Sequence, residues 1–128
     1  MTMFGNPNQS FNLFSDDRAL TCDAVGAIPG SRFVKLVAGG TFQRPKVALC
    51  GAGEQAYGVS GWDVADGGSV TVQKLGAWTV KAGTAIVAPQ QIQSDATGRA
   101  IPLAAGARLG QAHHDAVLDA DVAVELKL

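Results

Sequence analysis

Large side chains are scarce in this 128-residue chain, in which aromatic residues make up 6% and two Trp and one Tyr stand against 16 Gly. A core must then be built mainly from Ala and Val, which implies a thin, turn-rich fold. Charge of either sign is also sparse, with ten Lys+Arg against eleven Asp+Glu for a net −1. No overall field exists to hold nucleic acid or an anionic membrane, so neither is expected as a partner. The two cysteines, Cys22 and Cys50, lack CxxC spacing, which excludes a disulfide framework and leaves two reduced thiols as the expectation. No apolar run approaches the roughly 18 residues that cross a bilayer. The opening MTMFGNPNQS has neither a basic nor an apolar signal region, so a cytosol-like site of synthesis is expected. One domain with one core is the expectation at this length.

What is present divides into two regions. Residues 1–20 hold Pro7, Asn6, Asn8, Asn12 and Gln9 with three of the chain's five Phe, and show neither a period of 2 nor of 3.6. This region reads as an extended N-terminal arm, and its Phe4, Phe11 and Phe14 predict that it docks on something. Residues 21–128 carry short apolar or alternating runs separated by glycine-centred breaks, the pattern of closely spaced strands. Strands are predicted at Arg32 to Val37, Val47 to Cys50, Ala56 to Val64, Ser69 to Leu75, Trp78 to Lys81, Ala85 to Ala88, Ala100 to Leu103 and Val122 to Leu126. In Ser69 to Leu75, Val70 and Val72 alternate with Thr71 and Gln73, giving one buried and one wet face. Breaks at 28–31, 38–41, 65–68, 81–84 and 95–98 each place Gly where a turn favours positive φ. Helix has little room, the one candidate being Ala112 to Leu118, with Leu103 to Ala107 next. The expected fold class is all-β, a small barrel of short strands with Gly-rich turns and an N-terminal arm.

Chemistry-bearing motifs are few. His113 and His114 are adjacent and so diverge on a strand or a helix, which points to surface histidines in preference to a shared metal. Gly58-Val59-Ser60-Gly61 has the second glycine one residue too early for a nucleophile elbow and no helix after it. Cys50 has no partner histidine at a recognised spacing and reads as a small buried hydrophobe. Gly51-Ala52-Gly53 leads into a strand, without the helix N-terminus that cradles phosphate. Lys74 and Lys81 stand at strand ends, not at the hairpin tips of carrier domains, and discourage edge pairing. These readings predict no catalytic residue, no cofactor and no metal. Trp62, Trp78 and Tyr57 have two readings, core residues of strands or an exposed platform for a glycan, and the first is preferred because Trp is usually largely buried.

Gly58 to Val64 (GVSGWDV), Gly68 to Val72 (GSVTV), Gly76 to Gly83 (GAWTVKAG), Asp95 to Ala100 (DATGRA), Gly110 to Ala112 (GQA) and Val122 to Leu126 (VAVEL) form a series that resembles the capsid decoration, or cement, proteins of tailed bacteriophages. The opening FGNPNQSFNLFSDDRALTC is similar to the start of such proteins. The resemblance covers nearly the whole chain and rests on turn spacing, not on a catalytic signature. It implies a β-tulip or β-barrel domain over 21–128 that forms a homotrimer, binds the major capsid protein on the capsid exterior of a virion and stabilises the expanded, DNA-filled head. The chain would be made in the host cytoplasm. The arm, residues 1–20, would carry the attachment, through Phe4, Asn6, Phe11, Leu13, Phe14 and Arg18. The alternative is a receptor- or glycan-binding β-domain of a virion fibre or spike.

Overall fold

Short apolar alternations separated by turns leave the chain one way to satisfy its backbone, which is to pair strands. The computed structural model describes residues 19–128 and contains no helix among them. Five strands, β1 (Ala19–Ala24), β2 (Phe33–Val37), β3 (Lys46–Leu49), β4 (Gly58–Ser60) and β5 (Ser69–Gln73), close into a barrel in the order β1-β3-β2-β4-β5. Five more, β6 (Ala77–Lys81), β7 (Gln91–Ser94), β8 (Ala100–Pro102), β9 (Gly110–Ala112) and β10 (Asp121–Leu126), form a second sheet in the order β6-β10-β9-β7-β8. All neighbours are antiparallel except β1 and β3, which run parallel with Asp23 beside Lys46. The second sheet curls until Ala82, just past β6, bridges Ala100 of β8. The all-β barrel read from the sequence is the observed class.

The single expected core is in fact two clusters that share walls. Leu20, Cys22, Ala24, Val34, Val47, Val70 and Val72 fill the barrel. Val80, Ile86, Ile92, Leu109, Val122 and Val124 line the second sheet and pack on Phe33, Cys50, Ala56 and Val59 from the barrel strands and loops. Phe33 and Val34 are neighbours in β2, so their side chains leave opposite faces, and each is fully buried in a different cluster. Strand β2 therefore has no wet face at its start. Backbone hydrogen bonds stitch the two halves together: Phe33 N–H to Gly98 O (2.8 Å), Gly53 N–H to Ser94 O (2.9 Å), Ala107 N–H to Gly53 O (2.9 Å) and Lys81 N–H to Ser31 O (3.0 Å). At this seam Gly53 and Gly106 bring their backbones so close that a Cβ on Gly106 would overlap Gly53 Cα.

Several expectations are corrected. Ala19 and Leu20, assigned by sequence to the arm, are paired residues of β1, opposite Gln73 and Val72. The run Ala85 to Ala88 is reduced to one bridge, Ile86 to Ala116, because Ala88 N–H goes to Asp115 Oδ1 and Pro89 has no N–H to continue a ladder. Ala112 to Leu118 is not helical: Ala112 ends β9, paired with Val124, and the loop after it turns back along β10. The predicted Ala56 to Val64 strand shortens to β4, with Val64 kept in a bridge to Ile28. Positive φ occurs at Gly39, Gly67 and Gly98 as the turns suggested, but in the 28–31 turn it falls on Ser31 (φ 56°). Gly30 is needed there for space, since a Cβ would sit 3.0 Å from Trp62 Cα.

Candidate interaction surface

The residues with chemical potential are spent on structure. Ser60 Oγ donates to Pro29 O at 2.8 Å and accepts the Arg32 N–H at 3.2 Å, closing the turn that enters β2. Cys50 is fully buried, and burial, then the charge of Glu54, pushes its thiol up to about 12. Burial, then Asp23, pushes the Cys22 thiol up to about 11. Neither thiol is a ready nucleophile. Gly51 N–H donates to Glu54 Oε1, and that carboxylate also takes Lys35 Nζ at 2.8 Å. The Lys35 hydrogen bond, followed by the Gly51 N–H, holds the Glu54 carboxyl below the usual range. The glycines of the former phosphate-loop candidate thus form a turn closed by its own carboxylate.

The two histidines part as adjacency requires. His113 Nε2 lies 3.2 Å from Glu125 Oε1, whereas His114 takes the Ala123 N–H on Nε2 (3.1 Å) and meets Asp115 O through Nδ1 (2.9 Å). No group of three His, Cys, Asp or Glu stands in metal-ligating arrangement among the described residues. Lys81 pairs with Asp121 at 2.8 Å, and Lys74 lies 4.4 Å from the centre of the Tyr57 ring. In the β7–β8 turn, burial alone would raise the Asp95 carboxyl. Bonds from the Thr97 and Arg99 N–H groups and the Arg99 guanidinium outweigh burial and lower it.

The surface is more informative. The preferred reading of the tryptophans as core residues is overturned: Trp62 is 51% exposed and Trp78 37%. Trp62 follows β4 in a turn, and Trp78 stands on β6 at the margin of the second sheet. Tyr57 is half-buried against the barrel core. The three do not form one platform: Tyr57 lines a cleft of about 460 Å³ with Lys35, Leu36, Glu54, Gln55 and Ala56, and Trp78 lines another of about 350 Å³ with Leu75, Gly76 and Ala77.

Two further apolar features escaped the sequence reading. Phe42, 71% exposed, tips the β2–β3 loop. That loop is tied by Thr41 N–H to Arg44 O and Arg44 N–H to Thr41 Oγ1, both 3.1 Å, and by Arg44 to Asp23 and Ser69, both 2.7 Å. A bulky apolar residue between Gly39-Gly40 and Pro45, where turns are polar, was the available signal. At the ends of the second sheet's loops, Val87, Val117 and Leu118 are all more than half exposed. The Ile86 to Ala116 bridge joins the two loops that carry them. Anchors of this kind, large and apolar on a braced backbone, suit docking on another protein. The arm residues expected to bind, Phe4, Asn6, Phe11, Leu13, Phe14 and Arg18, lie outside the described residues.

A closed five-stranded barrel that shares a buried wall with a curled second sheet, with apolar side chains exposed at loop tips, defines the class: an all-β protein. Among solved structures, the crystal structure of the head fiber gp8.5 N base in bacteriophage phi29 has a similar fold. The TM-score is 0.73 at 20% identity, over 85% of this chain and 92% of that one. No family model matches the sequence, and no curated protein matches it.

Proposed function

We propose that this chain is a structural protein of a phage virion, carried on the outside of the head. There, trimers seat on the major capsid protein and hold neighbouring subunits together in the expanded shell. The observation that carries this reading is the fold likeness to a head fiber base, which extends over nearly all of both chains. The braced Phe42 loop and the Val87, Val117 and Leu118 tip give such a protein two apolar docking features. A contact that exists only in the assembled shell shifts assembly toward the closed state by mass action. Interfaces of about 1,600 Å² repeated over the lattice suffice without tight binding at any one site.

The test is to mix purified protein with undecorated capsids, pellet them and image the pellet. Co-sedimentation with density at regular lattice positions is expected, and capsids that stay bare refute the reading. Sedimentation equilibrium checks the trimer in solution and on the shell; a monomer in both removes the bridging model. The exposure of Trp62 favours one second reading, a receptor- or glycan-binding domain of a fibre. A glycan array distinguishes it, since that reading requires a Trp62-dependent signal.

A further inference from the structure

The pairings of the barrel recur in the second sheet residue for residue. In β1 and β5, Cys22 stands opposite Val70 and Leu20 opposite Val72; in β6 and β10, Val80 stands opposite Val122 and Trp78 opposite Val124. Val34 meets Leu49 and Gly58 on its two sides, as Ile92 meets Pro102 and Gly110. Ser60 opposite Val72 becomes Ala112 opposite Val124. The parallel pairing of Ala24 with Val47, which closes the barrel, returns as the parallel bridge of Ala82 with Ala100. Strands β6 to β10 thus repeat β1 to β5 in order, and the curled sheet is the same barrel closed by one bridge. A slip of one residue would exchange core and solvent faces, so matching registers also match the cores. Cys22, Val34, Val70 and Val72 are buried in one, Val80, Ile92, Val122 and Val124 in the other.

The loops repeat the same bonds. Ile28 bridges Val64, and Ile86 bridges Ala116. Asp63 Oδ1 accepts the Gly30 N–H at 2.7 Å, and Asp115 Oδ1 accepts the Ala88 N–H at 2.9 Å. Gly67 N–H donates to Ala24 O and Asp119 N–H to Ala82 O, and both residues have positive φ, 79° and 66°. The left-handed Asp119 therefore stands where the barrel has a glycine. Gly58 and Gly110 are alike in leaving no room for a Cβ, against Val72 in one case and Val124 in the other. Strand order alone does not dictate a carboxylate on the same loop amide, a left-handed residue at the same turn position and a glycine at the same crowded place. We propose that residues 19–75 and 77–128 are two copies of one five-stranded unit joined in tandem, and that the Trp62 loop and the Val117 loop are one loop site in two versions, braced by Asp63 and by Asp115. Trp62 takes the place of His114, and Ala65 and Asp66 take the places of Val117 and Leu118, so one chain presents the same loop frame twice with different side chains. The copies join head to tail, since Phe33 and Val59, buried between them, correspond to Gln91, which is exposed, and Gln111, which is half-buried. The inference does not depend on the virion role.

Loop exchange in the full-length protein tests it. A copy of 113–119 is set in place of 61–67, which brings the copied Asp115 to the Asp63 position and the copied Asp119 to the Gly67 position. A control uses 114–120, one residue out of register. The in-register chain is expected to melt at least about 10 °C above the control. Amide hydrogen exchange gives a second reading: Asp63→Ala is expected to speed exchange at Gly30, and Asp115→Ala at Ala88, each at least about tenfold. Protection at Val72 and Val124 in the same samples reports that both units remain folded. The proposal is overturned if the two transplants melt alike or the control melts higher, or if either carboxylate can be removed without speeding its amide. If neither transplant folds, the two point variants decide.

Discussion

Because Phe33 belongs to the cluster between the barrel and the second sheet while its neighbour Val34 fills the barrel, replacing Phe33 with Ala should weaken both halves together. The side chain is fully buried, and its removal costs about 3–5 kcal/mol in transfer and cavity energy. Against a domain stability of about 5–15 kcal/mol, that is a large share. With a urea slope of about 2 kcal/mol per molar, a 4 kcal/mol loss lowers the unfolding midpoint by about 2 M. The two tryptophans make separate reporters, since Trp62 follows β4 of the barrel and Trp78 sits on β6. Urea titrations of Phe33→Ala in Trp62→Phe and Trp78→Phe backgrounds should give coincident transitions, both shifted by the same amount. If the Trp78 transition moves while the Trp62 transition stays in place, the halves unfold independently and the shared-wall argument is wrong.

Gly106→Ala should destabilise by about 1–3 kcal/mol, because the new methyl meets backbone and no side chain can yield; thermal melts will read it. Asp95→Asn should lower the melting temperature at pH 7. The Asp95 carboxyl is lowered in the fold, so its contribution is present above the ordinary carboxylate range near pH 4 and disappears as pH falls through the lowered value. The gap between variant and parent should therefore narrow as melts are taken to progressively lower pH from the ordinary carboxylate range. Cys22 and Cys50, whose thiols are pushed to about 11 and 12, should resist alkylation at pH 8 in the native protein and react in urea, as followed by mass spectrometry. Rapid native labelling would show that the halves open locally.

Much of the architecture was legible where a strand has one wet face. Val70 and Val72 in β5 and Val122, Val124 and Leu126 in β10 alternate in sequence as they do in burial. Alternation was equally present in β1, where Leu20, Cys22 and Ala24 are buried, yet no strand was predicted there, because the irregular residues before it drew its first two positions into the arm and left the rest too short to read. β7 was missed because polar residues do core work there: buried Gln93 accepts the N–H groups of Ala104 and Gly106 through Oε1, and Ser94 is fully buried. β9 carries almost no apolar signal, since Gly110 leaves no room for a Cβ against Glu125 and Val124. The surface was less legible than the fold. Trp62, Trp78 and Phe42 look like core residues by type, and only the edge and turn positions they occupy turn them outward.

The four hydrogen bonds that stitch the seam join main-chain groups, which every residue but proline can supply in full. A junction built this way tolerates drift in the side chains around it so long as the few close approaches keep their glycines. Inheritance of the two-part arrangement can then outlast recognisable sequence, and a chain of this kind is better traced by its shape than by its letters. The same seam fixes the Phe42 loop and the Val117 loop on one frame, so a contact that holds one loop also sets the position of the other.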